Sequence, residues 1–243
     1  MSKERAKNKG GVENKTTSHK LTTKEEEFIR YHRALRGELD NANWHFQAWK
    51  ALWHLMESYS EEFNVAHTFF RLTMRAHLLE TVLRLNKICR RGEDGVNMFE
   101  FLDFLRKNLD VFTAQSAGTG KHREREFDIE SELIAEVALL ITPSVVEGHI
   151  QQIKALPLER LATWKDGALA HIDMKTAKGH IKVLEESTVD IEEVDRIINS
   201  LHDILNVYSA SYDGQVWEKD LKFEHGIHNL LEAVKIGRKH KAK

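Results

Sequence analysis

Residues 23–56 read TKEEEFIRYHRALRGELDNANWHFQAWKALWHLM, and this stretch decides the fold. Apolar side chains recur in it at alternating spacings of three and four residues, and the opposite face is charged. That spacing predicts one long helix with a single apolar seam against neighbouring helices. An aromatic platform for stacking bases would show the same rings, but the unbroken seam favours core packing. The seam residues are Phe28, Tyr31, Leu35, Leu39, Ala42, Phe46, Trp49, Trp53 and Met56.

A second helix is predicted near residues 60–90, and it is apolar on more than one side. It is therefore expected to be the central helix. Arg84 lies on it, where its cation either faces a functional cleft or, as we favour, is salt-bridged or snorkels to solvent. The two seams are Val65, Phe69, Leu72, Ala76, Leu79 and Leu83, and Phe63, Phe70, Met74, Leu78, Val82 and Leu85.

Shorter helices complete an all-α architecture, a bundle of long antiparallel helices with short additional helices. Their starts are marked by capping residues at Asn97, Thr142 and Asp190, and one helix is expected to end before Asp213 and Gly214. Residues 115–126 are expected to form a loop and residues 128–141 a helix. The expected organisation is a disordered basic tail at 1–20, a single helical domain at 21–236 and a basic tail at 237–243.

Composition narrows the class of protein further. The chain has 243 residues, two prolines and a formal net charge of −2, so it can bury a sizeable core and is not coated with positive charge. Cys89 is the only cysteine, which excludes an internal disulfide and favours a cytoplasmic setting. No apolar run is long enough for a membrane span or a signal peptide, so no membrane partner is expected.

Residues 161–173, LATWKDGALAHID, concentrate a cation, carboxylates and an imidazole. A histidine exchanges protons near neutral pH and a lysine offsets phosphate charge, which suits RNA cleavage without a metal. Lys165 and His171 are about 120° apart on a regular helix and do not share a face. A joint site therefore needs a helix loosened at Gly167 or a second copy of the chain, and dimerisation is the simpler answer.

This motif resembles the signature of the HEPN superfamily of small helical proteins, and most closely its abortive-infection branch, where an Arg-Asp-Lys-x-x-Ala-His-x-Asp pattern is usual. The order of neighbouring segments is also similar over roughly residues 28–235, through Val82–Leu85, Asn97–Leu102 and Ile204–Asn206. The resemblance implies an all-helical domain that dimerises. In active members of the family, a composite cleft cleaves RNA by a metal-independent route.

The resemblance also assigns roles to residues by position. Lys165 stands where the family has arginine, Asp166 where it has a polar partner and His171 where it has the catalytic histidine. Lysine lacks the planar fork with which arginine binds phosphate at two points, so this departure leaves activity open. The candidate substrate-binding residues are Asp173, which also suits orienting the imidazole, Lys175 and Arg84.

Two other kinds of site are rejected or disfavoured. Gly118–Lys121 lacks the earlier glycine and the following Ser or Thr of a phosphate-binding loop, because Gln115 and His122 stand there. His225 and His228 share a helical spacing but lack a matching carboxylate, so no metal is expected. No other cofactor is expected either.

Two functions remain. The first is a homodimeric ribonuclease of a phage-defence or toxin-antitoxin system. The second is a catalytically degraded HEPN dimer that binds RNA or a partner protein, such as an antitoxin or another defence component. Lys165 in place of arginine favours the second function.

Overall fold

A computed structural model describes residues 21–92, 95–112, 141–161, 190–218 and 224–241. All regular structure in these ranges is helical, and they contain no strand, which confirms the predicted all-α fold. The tail at 1–20, the loop at 115–126 and nearly all of the predicted helix at 128–141 lie outside them. The helices are α1 (Thr23–Ser58), α2 (Ser60–Val65), α3 (His67–Cys89), α4 (Met98–Lys107), α5 (Pro143–Lys154), α6 (Ile191–Asp213) and α7 (Glu224–Lys241).

The long helix α1 begins at a capping box. The Oγ1 of Thr22 accepts from the Glu25 amide at 3.2 Å, and the Thr22 amide donates to the Glu25 carboxylate at 2.6 Å. Two backbone amides at the helix start are thereby satisfied. The predicted helix is confirmed, and its seam lies in the core from Phe28 to Trp49, with Tyr31 only partly buried.

The seam predicted for α1 is wrong at its last two positions, because Trp53 and Met56 are exposed. A strict seven-residue repeat drifts by about 20° per heptad around a straight helix, so it moves by about 80° over four heptads. The buried face therefore passes to Leu52, with Leu55 packed beside it. The helix therefore continues as its spacing predicted, but Trp53 and Met56 lie outside the core.

The predicted continuous helix at residues 60–90 is divided into α2 and α3 at Ala66, whose backbone is not helical (φ −132°, ψ 46°). Of its two predicted seams, the one through Phe63, Phe70 and Val82 is buried. The other is exposed in its first half. Both apolar sides of this helix were expected to be buried. For the first half of the second seam this prediction is wrong, because the described helices pack against the side that carries Phe70 and Val82.

The helix α6 runs antiparallel to α1. Three contacts between them occur in opposite order along the two helices: Phe28 with Tyr212, His32 with Leu205 and Lys50 with Asp195. The Asp190 side chain caps the start of α6 by accepting from the Glu192 amide at 2.9 Å. The helix ends at Gly214, whose φ of +75° is in the left-handed region that glycine tolerates.

The remaining helices surround this pair. The predicted caps at Asn97 and Thr142 are confirmed, since their side chains accept from the amides of Glu100 and Val145. A single core joins α1, α3, α4, α5 and α6, and burying each of its large apolar side chains contributes about 1.5–3 kcal/mol. The most buried members include Leu39, Val82, Leu102, Ile153 and Leu205.

The helix α7 packs on the junction of α1, α2 and α3. Its Leu231 is fully buried in a small cluster with Leu52, Tyr59, Phe63 and Phe70. The helix continues through Lys241, into the stretch expected to be a basic tail. None of the described helices combines the length and apolarity needed to cross a membrane.

Candidate functional site

Most of the predicted site falls outside the described residues. This holds for the proposed catalytic residues Lys165, Asp166 and His171 and for the proposed substrate-binding residues Asp173 and Lys175. Of the predicted site residues, the structure describes Arg84. It also describes the chain before the motif, up to Leu161, and after it, from Asp190.

The described residues that flank the motif segment, residues 162–189, are bound to each other. Leu161, the last residue described before it, is buried in the main core. Its neighbour Arg160 donates to the Glu193 carboxylate at 2.8 Å, and Glu193 lies in the first turn of α6. The motif segment therefore leaves and re-enters the described fold at the same place, beside the start of α6.

A second ion pair attaches this place to α1. The Lys50 ammonium lies 2.7 Å from the Asp195 carboxylate, and both side chains are partly buried. Lys50 also lies over the ring of Phe46, at 5.3 Å from its centroid. This ion pair holds the start of α6, which follows the motif segment in the chain, against the C-terminal third of α1.

Arg84 is bound to carboxylates of two helices. Its Nη1 donates to Glu38 on α1 at 2.7 Å, and its Nη2 lies 2.6 Å from Glu80 one turn earlier on α3. Lys87 donates to the other oxygen of Glu38, also at 2.7 Å. Burial raises the pKa of Glu38, but the hydrogen bonds and charges of Lys87 and Arg84 outweigh this and hold it below its usual value. The favoured interpretation of Arg84 as a salt-bridged residue fits these contacts, and a role in substrate binding stays a prediction.

A polar groove of about 420 Å³ lies beside this charge cluster. It runs between α1 and the end of α3, and residues 95 and 96 close one side. Its cations are Arg33 and Lys87, and its only charged acceptor among the described residues is Glu38. A small anion or a phosphodiester is the kind of ligand that this charge balance tolerates.

Several of the described histidines contact one other side chain each, and they do not converge on a metal site. His45 and His77 face each other across α1 and α3 with their Nδ1 atoms 2.9 Å apart. The Nε2 of His228 lies 2.9 Å from the hydroxyl of Tyr59, and His149 is bonded to Tyr208. Within the described ranges, no three His, Cys, Asp or Glu side chains are arranged to hold a metal ion.

Most of the chain, including the motif, matches a known protein family. Residues 25–229 match the family model HEPN_AbiU2, which is described as AbiU2. This chain belongs to the HEPN_AbiU2 family. The family is of HEPN type and is associated with abortive infection, so the resemblance stated from the motif is confirmed. Neither the curated proteins nor the solved structures that were searched gave a match.

The HEPN_AbiU2 match includes the whole segment from Lys165 to Asp173 and Arg84 as well. The match starts at residue 25 and ends at residue 229, whereas the order of segments predicted a span of roughly residues 28–235. Membership therefore applies to the same stretch from which the motif was assigned.

Two polar contacts of this HEPN_AbiU2 protein, one at Arg84 and one at the start of α6, were not predicted from the sequence. Glu38 precedes Arg84 by 46 residues, and Lys50 precedes Asp195 by 145. Such pairs have no local spacing signal, because a helix pattern reports only neighbours three or four residues apart. The charged residues on α3 were noticed, but their partners on α1 required the tertiary structure.

Proposed function

We propose that this HEPN_AbiU2 protein is a metal-independent endoribonuclease that acts as a homodimer in abortive infection. His171 of one copy removes the proton from a ribose 2′-hydroxyl, and His171 of the other protonates the leaving oxygen. Lys165 offsets the charge of the phosphate and Asp166 holds the geometry. Asp173, Lys175 and Arg84 bind the RNA strand.

The chemistry needs no other group. The 2′-oxygen forms a bond to phosphorus as the bond from phosphorus to the 5′-oxygen breaks, and one proton is accepted while another is donated. The products are a 2′,3′-cyclic phosphate and a free 5′-hydroxyl. A histidine suits both proton transfers, since its unperturbed pKa is about 6.5.

One observation carries this proposal: the family match spans the Lys-Asp-Gly-Ala-Leu-Ala-His-Ile-Asp motif at 165–173. The two ends of the segment that holds this motif are linked through Arg160 and Glu193, which agrees with a site built on a fixed base. The groove beside Arg84 is also lined by Arg33, a cation of the kind that binds an RNA backbone.

The decisive experiment is RNA cleavage by the purified full chain in the presence of a chelator. Cutting is expected for the wild type and lost in His171→Ala, while both proteins give the same circular dichroism and melting temperature. His240→Ala is the matched control, because His240 is exposed on α7. Undiminished cutting by His171→Ala would remove the assignment of this residue.

A second function is favoured by one feature of the sequence, the lysine at position 165. A HEPN dimer without activity would bind RNA or a partner protein, such as an antitoxin or another component of a defence system. In that case the wild type binds RNA or the partner but releases no cyclic phosphate.

A further inference from the structure

Two histidines that belong to no predicted site face each other across the contact between α1 and α3. The Nδ1 of His45 lies 2.9 Å from the Nδ1 of His77, and the centroids of the two rings are 5.2 Å apart. Both side chains are partly buried. The distance between the nitrogens is that of an N–H···N hydrogen bond, so one Nδ1 carries a proton and the other accepts.

The packing of α1 on α3 holds the two rings in place from both sides. One turn away on each helix, the hydroxyl of the fully buried Thr81 donates to the Ala42 carbonyl at 3.3 Å. In the other direction, Leu52 of α1 and Phe70 of α3 are buried in the same small cluster. The backbones that carry His45 and His77 are therefore kept at a fixed separation.

Such a pair takes up its first and second protons unequally. When both rings are neutral, a single N–H lies between the two Nδ1 atoms. A first added proton goes to the Nε2 of the donor ring and leaves this hydrogen bond in place, now strengthened by charge. A second added proton goes to the Nδ1 of the acceptor ring, which sets two N–H groups and two positive charges against each other. The contact therefore tolerates one added proton but not two.

The charged groups on the same side of these helices do not offset a second positive charge. Glu38 lies two turns before His45 on α1, and Glu80 lies one turn after His77 on α3. Both carboxylates are already bound to Arg84, at 2.7 and 2.6 Å. Burial lowers the pKa of His77, and the neighbouring charge that lowers it further is that of His45.

The place of the pair on α1 connects it to two other contacts of the fold. About one and a half turns later, Lys50 binds Asp195 at the start of α6. Two turns earlier, Glu38 binds Arg84 beside the polar groove. Separation of α1 from α3 at His45 would therefore loosen the part of α1 that lies between these two ion pairs.

We propose that His45 and His77 form a proton-operated latch between α1 and α3, which stays closed with no added proton or one and is opened by the second. In the unfolded chain both imidazoles have a pKa of about 6.5. Below that pH the unfolded chain binds a second proton that the closed latch does not, so the stability from the latch is complete above about pH 6.5 and is lost as the pH falls. The latch is independent of RNA cleavage.

The first test follows the imidazole NMR signals of the full chain from about pH 8 to about pH 5. The signals of His45 and His77, identified by their loss in His45→Gln and His77→Gln, are expected to titrate in two steps more than about one pH unit apart. His54→Gln is the matched control, because His54 is exposed on α1, and it should leave both steps unchanged. Independent single steps near pH 6.5 for both residues of the wild type would overturn the latch.

The second test asks whether the second proton opens the contact. Hydrogen exchange with mass spectrometry, corrected for the intrinsic effect of pH, compares residues 41–52 and 70–81 with α4, which contains no histidine. Between about pH 7.5 and about pH 5.5, the wild type is expected to lose protection in the first two stretches about tenfold relative to α4, since one unit of pKa is a factor of ten. His77→Gln cannot take up the second charge and is expected to keep its protection.

The outcomes of the two tests separate the latch from a merely structural contact. A structural contact alone would give the same relative exchange at both pH values, and this result would overturn the proposal even if the titration has two steps. An equal loss of protection in the wild type and His77→Gln would assign the opening to another group and would overturn it as well. Should His77→Gln fold poorly, His45→Gln makes the same comparison from the other helix, and both results are read without any assay of RNA cleavage.

Discussion

The Nη1 of Arg84 donates to the Oε2 of Glu38 at 2.7 Å, and this contact joins α3 to α1 beside the polar groove. The same carboxylate accepts from Lys87 through its other oxygen. One acidic side chain thus binds two cations, and Arg84 is positioned by a residue 46 places earlier in the chain. The pair gives the first of four predictions.

Replacing Glu38 with glutamine is expected to lower the free energy of unfolding by about 1 kcal/mol at pH 7, because two partly exposed cations lose their carboxylate. The pKa of Glu38 lies below its usual value in the folded protein, so its contribution is present above about pH 4.5 and is lost as the pH falls through that lowered pKa. Urea unfolding at pH 7 and near pH 3 measures both effects. Glu57→Gln, at an exposed position on α1, is the control and should change little at either pH.

The partly buried His149 is expected to make stability depend on pH near neutrality. Burial lowers the pKa of His149 below its usual 6.5, so the neutral ring is favoured in the fold, where its Nδ1 is hydrogen-bonded to the Tyr208 hydroxyl. Between the lowered pKa and 6.5, the unfolded chain binds a proton that the folded chain does not, and stability is lost as the pH falls. Comparing urea unfolding at pH 7.5 and 5.5, wild type should lose more stability than His149→Gln. An equal loss in both proteins would contradict this.

Asn206 holds the chain after α6 through two hydrogen bonds to one residue. Its Nδ2 donates to the Trp217 carbonyl at 3.0 Å, and its Oδ1 accepts from the Trp217 amide at 3.1 Å. Asn206→Ala is expected to cost about 1–3 kcal/mol and to speed amide exchange at residues 214–218. Asn206→Asp retains the acceptor, so its exchange rate should lie between those of the wild type and Asn206→Ala. Hydrogen exchange with mass spectrometry can resolve this difference. Unchanged exchange in the alanine variant would show that other contacts hold this segment.

The lysine at position 165 separates the two proposed functions in cells. If the wild type is an active ribonuclease, its expression and that of Lys165→Arg are expected to arrest growth alike, whereas His171→Ala is tolerated. Arginine offers phosphate two parallel hydrogen bonds, so it should restore any activity that lysine has lost. Toxicity confined to Lys165→Arg would instead indicate a degraded dimer that binds without cutting. Growth curves with matched expression levels measure this.

Several helix ends could be predicted from local sequence patterns. The start of α4 at Asn97 and of α5 at Thr142 followed from capping residues, and the end of α6 followed from Gly214. The capping box of Thr22 and Glu25 carries the same kind of local signal, a threonine followed three residues later by a glutamate. The break at Ala66 had no such signal.

Burial was predicted less well than helicity. The two seams of α3 look alike in the sequence, yet Val82 is buried and Phe69 is exposed. On α1 the seam is buried as far as Trp49 and leaves the core at Trp53, because a strict heptad rotates around a straight helix. Periodicity shows that an apolar face exists, and only the packing shows whether anything described covers it.

For this protein, the sequence by itself determined the helical class, most helix ends and the HEPN motif at 165–173, because each depends on neighbours within a few residues. The tertiary structure alone decided that Arg84 is bound to Glu38, that the start of α6 lies beside Lys50, and that the first half of one seam of α3 is left exposed. These facts join residues tens of positions apart, and the physical reason is that such contacts form only where helices pack, which no local spacing encodes.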